Sequence, residues 1–212
     1  PDLDAGTVDG RFRLDQDLIL FPDLADRGGR LAGSHAQSTA RLAAGLERRL
    51  VQTARAEAFA PLAPTLDGRL AAVASRRRTV SEAFASRTFD LRSVGVEGSL
   101  RWVPSPRVEL SVAPTLADRT DALAGPDRPS GAFVARVPLE ARWTRSGRFT
   151  AAARVEGSSV SLRGAEGGGL SLFELTDGRG PGLSAIWGLD AQVGLTERVR
   201  GSLVYDGRAP AG

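Results

Sequence analysis

Over long stretches of the second half of this chain, apolar and polar residues alternate with a period of two. Val94, Val96, Gly98, Leu100 and Trp102 share one face, and Gly95, Glu97, Ser99 and Arg101 share the other. Such alternation predicts a strand with one apolar and one polar side. After Val103-Pro104-Ser105-Pro106 the pattern resumes, with Val108, Leu110, Val112, Pro114 and Leu116 opposing Glu109, Ser111, Ala113 and Thr115, so the two segments read as a hairpin. The unit recurs at Phe133–Trp143 with Phe149–Glu156, and again at Trp187–Leu195 with Val199–Asp206.

Short connections near 103–106, 144–148 and 196–198 are separated by longer ones near 119–130 and 163–181. Alternating short and long connections are expected of an up-and-down meander whose two ends face different surroundings. Trp102, Trp143 and Phe149 lie beside short turns, while Phe133, Trp187 and Tyr205 lie nearer the long connections, which predicts two aromatic girdles at membrane interfaces. Ten residue steps separate Phe133 from Trp143. At a rise of ~3.3 Å and a tilt of ~40° they cover about 25 Å, the height of an outer-membrane apolar band.

The opposite face collects Glu97, Arg101, Glu109, Arg136, Glu140, Arg142, Arg154, Glu156, Asp190, Arg200 and Asp206, with both signs interspersed. Lipid cannot face such a side, so these positions are predicted to line a lumen filled by cross-strand Arg–carboxylate pairs, for instance Arg101 opposite Glu109. A soluble sandwich also alternates, but its apolar face points inward and its aromatics commonly sit in mid-strand.

The first half is less regular. Strands are expected near 10–21, 29–37, 49–60 and 66–77. Between Ser38 and Ala60 two patterns compete: Ala40, Leu42, Ala44 and Leu46 fit period two, whereas Leu42, Leu46, Leu50 and Ala54 fit a helical ladder. Strand is preferred for about 50–60, where Ala54, Ala56, Ala58 and Ala60 oppose Thr53, Arg55 and Glu57. With strands near 86–103, 107–118, 131–144, 148–162, 183–195 and 198–207, the total is about ten.

Composition supports one domain over residues 1–212, whose 86–207 part is the clear meander and whose 10–77 part is less regular. Hydrophobic residues make up 42%, while 25 Gly and 12 Pro imply frequent turns. No Lys, Asn, Met or Cys occurs, so all basic side chains apart from His35 are arginines. This excludes a P-loop lysine, a Schiff-base lysine, a thiolate nucleophile, disulfides and cysteine zinc sites. A net charge of +3 gives no ground for a nucleic-acid partner. No run reaches the ~18 apolar residues of a transmembrane helix. A start without Met or an export leader suggests a processed product or a piece of a longer chain.

Near the C-terminus stands Leu172-Phe173-Glu174-Leu175-Thr176-Asp177-Gly178-Arg179-Gly180-Pro181-Gly182, then a Trp-containing strand, then Tyr205-Asp206-Gly207-Arg208-Ala209-Pro210. This resembles the C-terminal barrel region of large, mostly uncharacterised outer-membrane proteins of Gram-negative bacteria, closely over about the last forty residues and in hairpin rhythm over the preceding hundred. The resemblance implies a barrel whose chain usually continues into one more strand ending in an aromatic residue that the assembly machinery reads. On that pattern a chain stopping at Gly212 is an incomplete barrel.

Candidate chemistry is sparse. His35 is the only histidine, is read as a surface or turn residue, and cannot form a multi-histidine metal site. Arg76-Arg77-Arg78 could attract phosphate-rich head groups or anionic polysaccharide, the plainer reading being a solvated loop end. Gly167-Gly168-Gly169 reads as a flexible loop, and Asp177-Gly178-Arg179 and Asp206-Gly207-Arg208 as turns on the long-loop side. No catalytic residue, metal site or cofactor is indicated. The expected fold is an all-β, antiparallel, up-and-down transmembrane barrel, possibly incomplete, in a bacterial outer membrane with the lipid bilayer as its partner. Its expected role is non-enzymatic: anchoring or exporting a larger surface polypeptide, or serving as a structural membrane subunit within a protein complex. The alternatives are a porin-like transport pore with an Arg-rich lumen, and a soluble extracellular β-sheet module that binds glycans.

Overall fold

The computed structural model describes residues 10–20, 27–42, 45–124, 129–145, 149–164, 170–194 and 200–210. They form one antiparallel sheet of eleven strands: β1 Gly10–Leu20, β2 Gly28–Leu42, β3 Gly45–Ala63, β4 Leu66–Ser81, β5 Phe89–Ser105, β6 Val108–Val112, β7 Thr115–Asp121, β8 Pro129–Arg145, β9 Phe149–Gly164, β10 Gly182–Gly194 and β11 Arg200–Ala209. Each strand pairs with its sequence neighbour, except that β6 and β7 both pair with β5 and β8. These two are one strand in unbroken register, since Val112↔Leu139 and Thr115↔Arg136 belong to one ladder, as do Leu100↔Val112 and Glu97↔Thr115. The interruption falls at Pro114, which has no N–H to donate, yet its carbonyl still accepts from Gly98 N–H at 2.8 Å. The expected count of about ten strands therefore holds in topological terms.

Between Ser38 and Ala60 the described residues are strand, since β2 runs to Leu42 and β3 starts at Gly45, and Ala44 of the period-two pattern lies outside them. Alanine and leucine favour helix intrinsically, but each of these strands pairs on both sides, and cross-strand contacts override a weak local propensity. Other expectations are corrected. Strands β2, β3 and β4 are longer than expected, reaching 19 residues in β3. Asp206-Gly207-Arg208 lies inside β11 rather than in a turn, His35 lies inside β2, and Arg76-Arg77-Arg78 lies within β4 rather than at a loop end. The long 163–181 connection contains helix α1, Leu170–Thr176, and a single 3-10 turn at Ala85–Arg87 lies between β4 and β5. Alternation of short and long connections begins only after β3, since β2 and β3 are joined by two residues at the end where the long loops lie. Phe21, Gly167–Gly169 and the expected turn at 196–198 lie outside the described residues.

The register builds continuous rows across the sheet. One row on the apolar face reads Leu66–Trp102–Leu110–Ala141–Ala153–Leu189–Tyr205, and the next Gly68–Leu100–Val112–Leu139–Val155–Trp187–Gly207. At the end of the second row Gly207 stands under the Trp187 ring, where a Cβ would come within 2.3 Å of the indole. Gly207→Ala is expected to displace Trp187 at a cost of about 1–3 kcal/mol, the usual range for overpacking. Near-UV circular dichroism checks this, and an unchanged tryptophan band would count against the contact.

Candidate functional site

Odd positions of β5 and β7 and even positions of β8 and β9 share one face, and along most of its height that face is charged. A row of this face reads Asp67–Arg101–Ser111–Glu140–Arg154–Gly188–Asp206, with acids and bases alternating. All eleven predicted charged positions fall on it. Arg101 grips Glu109 through two hydrogen bonds of 2.9 and 3.0 Å. The pair is diagonal, because the register sets Ser111 opposite Arg101 and Arg142 opposite Glu109. Arg136 binds Glu156 in the same two-pronged way at 3.2 and 2.9 Å, and Arg142 reaches Glu140 at 3.2 Å. Two pairs span an intervening strand: Arg154 donates to Asp206 at 2.7 Å over Gly188, and Arg55 of β3 pairs with Glu97 of β5. Sequence periodicity placed Glu97 in the lumen set, and it put Arg55 and its second partner Glu57 on the polar side of the 50–60 strand without counting them among the lumen residues. Asp190 stands in the Ala152 and Val204 row and Arg200 at the start of β11, opposite Gly194.

The apolar face is the reverse. Phe12, Leu14, Leu31, Leu70, Val94, Val96, Leu100, Trp102, Leu116, Phe133, Val137, Leu139, Trp143, Val155, Leu183, Leu189, Val193, Leu203 and Tyr205 are all exposed and lie on this one side of the sheet. The predicted aromatics belong to it, with Trp143 and Phe149 in edge-to-face contact at 5.1 Å between ring centres. Trp187 lies level with Leu139 along the hydrogen-bonding direction, and Tyr205 level with Ala141.

Toward the long-loop end the two faces exchange character, which the alternation alone did not announce. The formerly charged face becomes the core: Phe89, Leu91, Ala132, Val134 and Val160 are buried there together with Leu175 of α1, and Leu162 packs against them. The formerly apolar face becomes polar, carrying Arg76, Arg78, Asp90, Arg92, Asp118, Ser161 and Arg163. Arg76 holds Asp90 through bonds of 2.8 and 2.7 Å, and Arg163 lies 2.7 Å from Asp118. The pattern of one charged and one apolar side, which alternation alone would extend over the full strand length, thus ends near Leu91 and Val94.

Helix α1 sits on the core side against β5, β7 and β8. Asp177 and Gly178 end it in left-handed geometry, at φ 54° and 72°, and Gly178 N–H bonds back to the Phe173 carbonyl at 2.9 Å. This confirms the turn expected at Asp177-Gly178-Arg179. Three arginines clamp the segment. Arg119 donates to the Glu174 and Leu175 carbonyls at 3.2 and 3.0 Å and to the Asp177 carboxylate at 2.8 Å, Arg77 pairs with Glu174, and Arg179 reaches Glu156 at 2.7 Å. Placing guanidinium groups at the carbonyl end of a helix complements its dipole.

Burial alone would raise the Asp177 carboxyl, but the Arg119 hydrogen bond and the charges of Arg119, Arg179 and Arg136 outweigh it and hold the group below its ordinary 3.8. A lowered acid stabilises the fold at neutral pH and loses that contribution as pH falls through its folded value. Pepsin cleavage in 172–175 is therefore expected to rise as pH drops from about 4 to about 2, and Asp177→Asn to flatten part of that rise. A rate independent of pH in both proteins would remove Asp177 from the clamp.

His35 offers little chemistry: its Nδ1 lies 3.1 Å from Gln52 Nε2 and its ring meets Phe12 edge-on. Among the described residues no group of His, Asp and Glu is arranged to hold a metal ion. A cavity of about 580 Å³ opens on the charged face beside Arg55, Glu57, Arg69, Glu97 and Arg101. No helix among the described residues is long and apolar enough to cross a membrane, which says nothing of strands. Comparison with protein-family models, curated proteins and solved structures finds no match to this chain.

Proposed function

We propose that this sheet forms the wall of a transmembrane β-barrel in a bacterial outer membrane, with a non-enzymatic role in anchoring or exporting a larger surface polypeptide. The observation that carries the reading is the exchange of polarity between the two faces. A soluble sheet that left so many large apolar side chains exposed on one side would present a patch far beyond the few hundred Å² usual for monomers. In a bilayer the same face meets hydrocarbon, and the charged face behind it needs internal partners, which the Arg–carboxylate pairs supply. At the long-loop end the arrangement is that of a water-soluble protein, with a core inside and charge outside, as suits a portion standing clear of the membrane.

The test is refolding of the chain into detergent or lipid vesicles, followed by gel mobility with and without heating. A strand-rich, heat-modifiable species that forms only with lipid supports the reading, and a monomeric strand-rich protein in plain buffer overturns it in favour of an extracellular binding module. A second reading, a porin-like transport pore, draws on the charged cavity beside Arg55 and Glu97. Under it Arg136, Arg142 and Arg154 would favour anionic solutes, and α1 would have to leave its seat for current to flow.

A further inference from the structure

Directly beyond the apolar zone of β3, β4 and β5 lies a group of arginines that the internal ion pairs leave uncompensated. On the outward face Ala54, Ala74 and Val94 form the last apolar row, and the next row on that face sets Gln52, Arg76 and Arg92 side by side. Arg78 follows one same-face step further on, opposite Asp90, and Arg48 lies beside Val80 at the following step. Two like charges directly opposite each other on adjacent strands, as Arg76 and Arg92 are, normally repel and destabilise a sheet. Asp90 relieves them in part: it is held by Arg76 at 2.7 Å and lies 4.0 Å from Arg92. Among the described residues neither Arg48 nor Arg78 has a carboxylate within ion-pair distance, and Glu82 accepts from Leu46 N–H at 3.2 Å. Three arginines, Arg76, Arg78 and Arg92, thus surround the carboxylate of Asp90, while Arg48 stands two same-face steps beyond Arg76. On the neighbouring strands Asp118 of β7 and Arg163 of β9 pair off one to one.

The height of the group matters as much as its charge. One same-face step along a strand is about 6–7 Å, and the headgroup layer on each side of a bilayer is roughly 5–7 Å deep. If the apolar rows lie in hydrocarbon, Arg76 and Arg92, one step beyond them, stand at the depth of lipid phosphates, and Arg78, one step further out, reaches that depth with its long side chain turned back. Guanidinium groups bind phosphate oxygens in two-pronged fashion, and a phosphate monoester offers more oxygen and more charge than a diester.

We propose that Arg76, Arg78 and Arg92 form a binding site for the phosphate-monoester headgroup of a membrane lipid, seated against β4 and β5 on the long-loop side. This rests on the membrane reading above. Arg77, between two of these residues in sequence, points the other way to Glu174 and has no part in it.

The experiment uses the full chain and the variant Arg78→Gln/Arg92→Gln, which keeps the Arg76–Asp90 pair. Both are refolded into vesicles of phosphatidylcholine alone, or with a minor fraction of phosphatidic acid or, at equal charge, phosphatidylglycerol. Heat-modifiable mobility in phosphatidylcholine scores insertion without any phosphate monoester, and failure there overturns the membrane reading and this site with it. After extraction into detergent, lipid retained on the protein is counted by native mass spectrometry. The wild-type chain is expected to retain phosphatidic acid well above its share of the vesicle and above phosphatidylglycerol, and the variant to lose about fivefold in retention for each arginine removed. Equal retention by wild type and variant in inserted protein overturns the site while leaving the membrane reading intact. Displacement of the lipid by millimolar inorganic phosphate overturns the assignment to a lipid.

Discussion

Leu139→Arg is expected to cost about 2–4 kcal/mol of folding free energy in lipid vesicles, the penalty for an arginine facing mid-membrane hydrocarbon. Leu139 is 49% exposed in the centre of the apolar face, between Val112 and Val155, so nothing in the protein shields a charge placed there. The companion variant Arg142→Ala lies three residues away on the other face, where it gives up a largely exposed pair with Glu140 at 3.2 Å. Exposed pairs contribute at most about 1 kcal/mol, so this variant should be nearly neutral. Urea titration of both proteins in vesicles checks the contrast. Equal and small effects would mean that the apolar face does not meet lipid.

Leu175→Ala is expected to unseat α1, with a loss of about 2–5 kcal/mol in its docking, the range for removing a leucine side chain from a packed core. Leu175 is 0% exposed and is the contribution of α1 to the cluster with Phe89, Leu91, Ala132, Val134 and Val160. A helix of seven residues has no stability of its own in water, so once docking fails the segment should unfold. Trypsin cleavage after Arg179 and current across planar bilayers report the two consequences. Rapid cleavage with new conductance would mean that α1 is what blocks the interior, while cleavage without conductance would leave the Arg–carboxylate pairs as the obstruction and weigh against the pore reading. Full protection of Arg179 would show that the Arg119 clamp holds the segment without the core contact.

The second half of the molecule was largely legible before its structure because its periodicity is long and unambiguous. Glu97, Arg101, Arg136 and Glu140 occupy the face that counting by twos assigns them, and the Arg101–Glu109 partnership was foreseeable even though its diagonal geometry was not. In β2 and β3 alanine, leucine and arginine satisfy two periods at once, so the Arg55 pairs with Glu57 and Glu97 could not be located. Helix α1 escaped notice for a related reason: a seven-residue amphipathic turn is too short to produce a periodic signal.

What the amino-acid order determined by itself is the all-β class, the antiparallel hairpin rhythm and the side of each strand that carries charge, because a side chain's face follows from backbone geometry one residue at a time. What tertiary structure alone decided is where along the strands the faces exchange roles. Phe89 and Leu91 continue the same alternation as Glu97 and Arg101, and they become a core only because α1, a long way off in sequence, folds back to cover them. The same holds for the arginines of β4. Arg76 and Arg78 face out while Arg77 faces in, and the partners of Arg76 and Arg77, Asp90 and Glu174, are brought to them by the sheet and by the loop.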